Sequence, residues 1–137
     1  MASVLVDSKV ILDIMTLDPM WSAWSEAAVH EAADAAQLVI NPIIYAEVST
    51  RFSRIEELED VLPKWQFARE PISFEAAFLA GKAHLAYRRR GGARSSPLPD
   101  FFIGAHASTA GYSLLTRDPR RFRTYFPNVQ LIAPSDN

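Results

Sequence analysis

Cysteine is absent from all 137 residues. That excludes zinc ribbons, Cys-ligated iron–sulfur clusters, CxxC redox sites and thiol nucleophiles. A chain of this length buries roughly two-thirds of its unfolded surface, so it stands without disulfides or a structural metal. No apolar run reaches the ~18–20 residues of a membrane span, and an acid interrupts the apolar stretch from Met1 to Ile14, which is wrong for a secretory signal. A cytoplasmic protein with no membrane contact is the expectation. His30, His84 and His106 lack HxxxH or HxxH spacing, so no zinc site is readable and all three read as packing or surface residues. There is no GxSxG elbow for a serine nucleophile, and Gly91-Gly92 lacks the spacing of a phosphate-binding loop. Without repeats or linkers, the chain reads as one domain over residues 1–137.

What is present is an ordinary folded composition, 49% hydrophobic with 22% charged residues, but the charge is unevenly placed. Arg88, Arg89, Arg90, Arg94, Arg117, Arg120, Arg121 and Arg123 face only Asp100 and Asp118 in their tract, a local +6 in a chain of net charge −2. Arginine suits bidentate phosphate contacts, and a basic tract is the footprint of a polyanion. The alternative is a solvated face, or one that pairs with the acidic run Glu56-Glu57-Glu59-Asp60.

Short apolar runs alternate with helical patterns. Val4-Leu5-Val6 and Leu38-Val39-Ile40 read as strands buried on both faces, with weaker strands expected at Trp65–Phe67, Tyr112–Leu115 and Val129–Ile132. Helices are expected over Lys9–Met15, then along the stripe Trp21, Trp24, Ala28, Ala32, Ala35. Another starts at Asn41-Pro42, where asparagine caps and proline takes the first helical position. Ser73 caps a long helix with Phe74, Phe78, Gly81 and Leu85 on one face, and Pro99 opens a helix that Gly111 stops. The alternation predicts βαβ units: an α/β protein, a three-layer α/β/α sandwich around a mostly parallel sheet.

In such a sheet, ligands bind beyond the carboxyl ends of the strands. Asp7 lies immediately after the first strand and Asp118 shortly after Leu115. Glu47 borders the apolar row Ile44, Val48, Phe52. Asp100 shares a helix face with Ile103 and Ala107, so its carboxylate points toward the core side. Each acid alone has a structural reading, as a helix-start, strand-end or turn residue. Four that meet at one mouth would repel unless a cation sat between them. Oxygen-only ligands select Mg²⁺, with Mn²⁺ as substitute, over zinc, and such an ion beside an arginine tract describes a phosphodiester hydrolase.

Those residues resemble the PIN-domain nucleases, and more narrowly the VapC-type toxins of toxin–antitoxin pairs. Val4-Leu5-Val6-Asp7-Ser8 is similar to the family's first strand and acid, and Ile40-Asn41-Pro42 to Glu47 to its second. Pro99-Asp100 through Ala107 resembles the third segment, and Leu114-Leu115-Thr116-Arg117-Asp118-Pro119-Arg120-Arg121-Phe122 the fourth. The resemblance implies Asp7, Glu47, Asp100 and Asp118 as metal-binding, catalytic carboxylates, with Ser8 and Thr116 orienting them from behind. It also implies Mg²⁺-dependent RNA cleavage, a homodimer and a cognate antitoxin. Arg88, Arg94, Arg117, Arg120 and Arg121 would position the RNA backbone. Lys9 stands where the family often has asparagine; it would contact the scissile phosphate or a carboxylate, or compete with metal. A catalytically silent PIN-fold binding module for RNA or protein is the alternative. A phosphoacceptor receiver domain is disfavoured, because the acid pair, acceptor aspartate and late lysine it needs are missing.

Overall fold

The computed structural model describes residues 2–92 and 97–135. In chain order the elements are β1 (Ser3–Val6), α1 (Ser8–Met15), α2 (Ser22–Ala35), β2 (Gln37–Ile40), α3 (Pro42–Ser49) and α4 (Ile55–Val61). There follow β3 (Phe67–Arg69), α5 (Phe74–Arg89), α6 (Leu98–Ala110), β4 (Ser113–Leu115), α7 (Arg120–Tyr125) and β5 (Leu131–Ile132). Every strand pairing is parallel, in the order β3-β2-β1-β4-β5. Val4, Leu5 and Val6 of β1 and Leu38, Val39 and Ile40 of β2 are all buried. Successive strand residues point to opposite faces, so helices cover both. The connections out of β1 and β4 leave toward opposite edges of the sheet, which makes the gap beyond their carboxyl ends the switch point where a ligand crevice opens.

Local chemistry sets the helix ends as expected. Asn41 Oδ1 accepts from the Ile44 N–H at 2.9 Å with Pro42 next in line, Ser73 Oγ accepts from Ala76 N at 3.0 Å, and Gly111 closes α6 at φ 73°, where a side chain would be strained. Asn41 does a second job. Its Nδ2 donates to His106 Nδ1 at 2.9 Å, so the ring carries its proton on Nε2, toward Glu70. His106 is thus the buried packing residue its sequence context suggests. Asn41→Ala removes a cap and strands a buried imidazole nitrogen, and is expected to lower stability by roughly 2–4 kcal/mol; a lower urea midpoint at unchanged slope is the readout.

Burial gives a direction to two of the expected helix stripes. The row Phe74, Phe78, Leu85 on α5 faces outward, Phe74 being 95% exposed; Ala76, Ala80 and Ala83 are the buried row. Periodicity reveals a stripe but not its direction, and small side chains let α5 and α6 approach closely. Ala35 is likewise exposed while Ala32 is buried. The third strand begins at Phe67, leaving Trp65 84% exposed.

Candidate active site

Asp7 leaves β1 with its N–H bonded to the Leu115 carbonyl at 2.9 Å, which ties it to the end of β4. It precedes α1 in extended backbone, yet its carboxylate caps nothing. Oδ2 accepts from Thr116 Oγ1 at 2.8 Å, while Oδ1 is buried with no hydrogen-bond partner. Burial pushes this carboxyl up to about 7. The Thr116 hydroxyl opposes the rise, Asp100 and Glu47 add repulsion, and Lys9 relieves some of it.

Glu47, on α3, is half-buried outside the lining of the cavity that opens over Asp7, Asp100 and Asp118, and its Oε1 accepts from Ser8 Oγ at 2.8 Å. Burial raises its pKa against the Ser8 bond, and Asp100 adds to the rise. Asp100 sits in the first turn of α6 above the buried Ile103 and Ala107, where its Oδ2 accepts from Arg121 Nη1 at 2.6 Å. Asp118 lies at the mouth with its side chain 51% exposed and bonded to Lys9 Nζ at 2.9 Å. Desolvation alone would raise it, but the Lys9 ammonium, helped by Arg117 and Arg121, holds it below its ordinary value. For Lys9, partial burial is outweighed by the Asp118 bond and by Asp100 and Asp7, and its pKa rises. The Thr116 hydroxyl joins two of the acids, donating to Asp7 and accepting from the Asp118 N–H at 3.1 Å.

Asp100 and Glu47 thus both repel the Asp7 carboxylate, and Asp100 repels Glu47. Asp118 shares the cavity but is engaged by a lysine. Among the described residues no three Asp, Glu or His side chains are already grouped as a metal cage. Of the four carboxylates expected to share a cation, Asp118 is paired with Lys9 and Asp100 with Arg121. Asp7 Oδ1 keeps the fit to an ion, since a buried carboxylate oxygen without a donor is costly and is the hard ligand that Mg²⁺ or Mn²⁺ takes.

A cavity of about 910 Å³ opens over these groups, lined by Asp7, Asp100 and Asp118 and by Lys9, Arg117, Arg120, Arg121 and Arg123. The acidic floor beneath a basic rim suits a phosphodiester bound across a cation. Arg121 bridges Asp100 and the Tyr87 ring, 5.7 Å from its centroid, and Arg120 is exposed at the rim. Arg117 is anchored inward: its guanidinium lies over Trp21, and its Nε is 2.9 Å from Asp13 Oδ2, close enough for an ion pair although the N–H is not aimed at that oxygen. Arg88 is exposed on α5 outside the cavity lining, and Arg94 lies outside the described residues. The acidic run satisfies itself nearby, with Glu59 on Arg69 and Tyr45 and Glu56 on Arg54, so it does not absorb the arginine tract.

Sequence reasoning missed Tyr87 and Asp13. Tyr87 looks like any helical aromatic. Asp13 is buried, accepts from Ser25 Oγ at 2.9 Å and holds Arg117; an acid amid the apolar residues of α1 was the available signal.

The PIN domain family's profile matches residues 4–127. No curated protein matches the chain. Among solved structures, it is similar to a chain of VapBC2 from Rickettsia felis bound to a promoter DNA fragment, at 16% identity and a TM-score of 0.73 over 97% of this chain and 99% of that one. It is also similar to a chain of VapBC-1 from nontypeable Haemophilus influenzae (17%, TM-score 0.72, 96% and 97% covered). A toxin–antitoxin complex from Klebsiella pneumoniae gives 20%, a TM-score of 0.67, and 98% and 99% coverage. At these identities the likeness is one of fold.

Proposed function

The chain belongs to the PIN domain family, and from that premise we propose that it is the toxin of a toxin–antitoxin pair: one nuclease domain over residues 1–137 that hydrolyses RNA phosphodiester bonds with a divalent ion, Mg²⁺ or Mn²⁺. Asp7, Glu47, Asp100 and Asp118 are its catalytic carboxylates, and the ion is held from the Asp7 side of the group. The observation that carries this reading is the buried, unpartnered Oδ1 of Asp7, crowded by Asp100 and Glu47 under a cavity with an arginine rim.

The ion, when bound, supplies Lewis-acid polarisation of the phosphate and a more acidic water. The chain's own residues do the rest. Ser8 fixes Glu47 and Thr116 fixes Asp7, so neither carboxylate spends its contact with the substrate on finding an orientation. Lys9, Arg120 and Arg121, with Arg117 held behind them, attract and align the RNA backbone, and Arg88 and Arg94 are assigned to the same backbone from the sequence. Such contacts set register and not sequence. A cognate antitoxin and a homodimer complete the proposal, supported by the fold shared with chains of toxin–antitoxin complexes and by exposed apolar side chains such as Phe74 and Met20. No helix of the described residues is long and apolar enough to cross a membrane; action in the cytoplasm belongs to the proposal.

The test is incubation of purified protein with RNA in Mg²⁺ and in EDTA. Cleavage in Mg²⁺ that EDTA stops is expected; intact RNA under both conditions, with no Mn²⁺ bound in calorimetry, sinks the nuclease reading. The rival, a silent RNA- or protein-binding module, is favoured by the two ion pairs that already neutralise Asp118 and Asp100. It predicts that second outcome together with retained RNA binding.

A further inference from the structure

We infer that Lys9 is a built-in substitute for a second metal ion, which limits this site to one divalent cation and withdraws Asp118 from its ligands. The inference rests on the metal-nuclease reading above and refines it.

Three observations carry it. The first is position. Lys9 follows Asp7 by two residues on α1, and its Nζ lies 2.9 Å from Asp118 Oδ2. It is also within electrostatic reach of Asp100 and Asp7. The ammonium thus already holds the Asp118 oxygen that an ion shared with the inner acids would need. The second is charge. Once all four carboxylates are ionised, as a bound cation requires, they carry four negative charges, and Lys9 and Arg121 return two, each through a direct contact. One divalent ion balances what remains, and a second would overcharge the pocket before any substrate arrived. Arg117 pairs with buried Asp13 through Nε at 2.9 Å and reaches Asp118 Oδ2 from Nη1 only at 3.9 Å. Most of its charge is thus met by an acid outside the four, and what reaches the four falls on Asp118, already paired with Lys9. The third is the division of the acids by depth. Asp7 is 2% exposed and has the oxygen without a partner, whereas the Asp118 side chain is half in solvent and already paired. The unmet demand for a cation is at the floor of the cavity, and the lysine has met it at the mouth.

The covalently attached ammonium differs from an ion in one useful way: it cannot be diluted or chelated. Lys9 lines the same cavity as the arginine rim, so a phosphate bound there would meet a fixed positive charge.

The experiment is Mn²⁺ titration calorimetry on the wild type, on Lys9→Met, which keeps the length of the side chain without its charge, and on Lys9→Gln. The side chain is 47% exposed, and melting curves establish that both variants are folded. The wild type is expected to bind one Mn²⁺ and each variant two, the second with the electron paramagnetic resonance signature of an exchange-coupled pair where the wild type shows an isolated ion. A wild type that binds two ions, or variants that both stay at one, overturns the assignment to Lys9 and leaves the metal-nuclease reading standing. Failure of the wild type and both variants to bind Mn²⁺ overturns the two together.

Discussion

Asp7→Asn is expected to make the metal-free protein more stable at neutral pH while it abolishes RNA cleavage. Both effects follow from the carboxyl that burial, with Asp100 and Glu47, holds at about 7 against an ordinary value of 3.8. Between those two pH values the folded chain keeps a proton that the unfolded chain has released. Native protein thus binds more protons than unfolded protein, and stability falls as pH rises from about 4 to about 7. Above that window the ionised carboxylate costs the fold on the order of 2–4 kcal/mol. Asparagine never ionises, and its side-chain oxygen still accepts from Thr116. In EDTA the two proteins should have similar unfolding free energies near pH 4 and diverge upward to pH 8, the variant being the more stable. Parallel curves across that range would show that the charge of Asp7 is not a strain on the fold. Divalent ions should reverse the order by stabilising the wild type alone, since only its site binds them in the folded state. The cost of the substitution in cleavage is roughly 10²–10³-fold or more, the scale for removing one fixed electrostatic group at the reacting centre. A variant that melts higher and cuts no RNA would identify a group kept for chemistry at the expense of stability.

The parts of this arrangement that were legible beforehand are those written in neighbouring residues. Val4-Leu5-Val6 and Leu38-Val39-Ile40 announce buried strands because no polar residue interrupts them. Asn41, Ser73 and Gly111 announce helix ends because a cap is made within three or four residues of itself. Asp7 stands out as an acid at a strand's carboxyl end, and parallel topology already says that ligands gather there. The illegible parts depend on residues far apart. Lys9 meets Asp118 across 109 positions, and Arg121 finds Asp100 only because α7 packs on α6. Neither ion pair has a local signature. The short α4 was missed for a different reason: its seven residues offer Leu58 as their one buried side chain, too little for a period to show among four acids. On α5 the bulky row drew attention that belonged to the alanines, because hydrophobicity scales reward Phe74 and Phe78 whichever way they face.

Gly104→Val should be the most damaging single change outside the acid cluster, although Gly104 touches no substrate. Gly104 lies one turn after Asp100 on α6, and a Cβ built there would clash with the Cδ2–Cε2 edge of the Phe126 ring, far closer than van der Waals contact allows. That ring has no room to retreat. Phe126 is 2% exposed and packs on Phe101, which is itself enclosed by Tyr87 and Tyr125. A branched side chain must therefore push α6 away from the end of α7, at a cost of roughly 3–5 kcal/mol, a large share of a small domain's stability. The same displacement would separate Arg121 on α7 from Asp100 on α6, so whatever folds should also have lost the ion pair that orients this carboxylate. Urea unfolding of Gly104→Val, Phe126→Ala and the double variant separates this account from a plain propensity effect. The overlap predicts that the double variant is more stable than the sum of the single losses, by about 1–3 kcal/mol. Strict additivity would mean that the glycine is there for its backbone and not for the ring beside it. In that case the spacing of α6 and α7, and with it the position of Asp100, would have to be set by contacts other than this one.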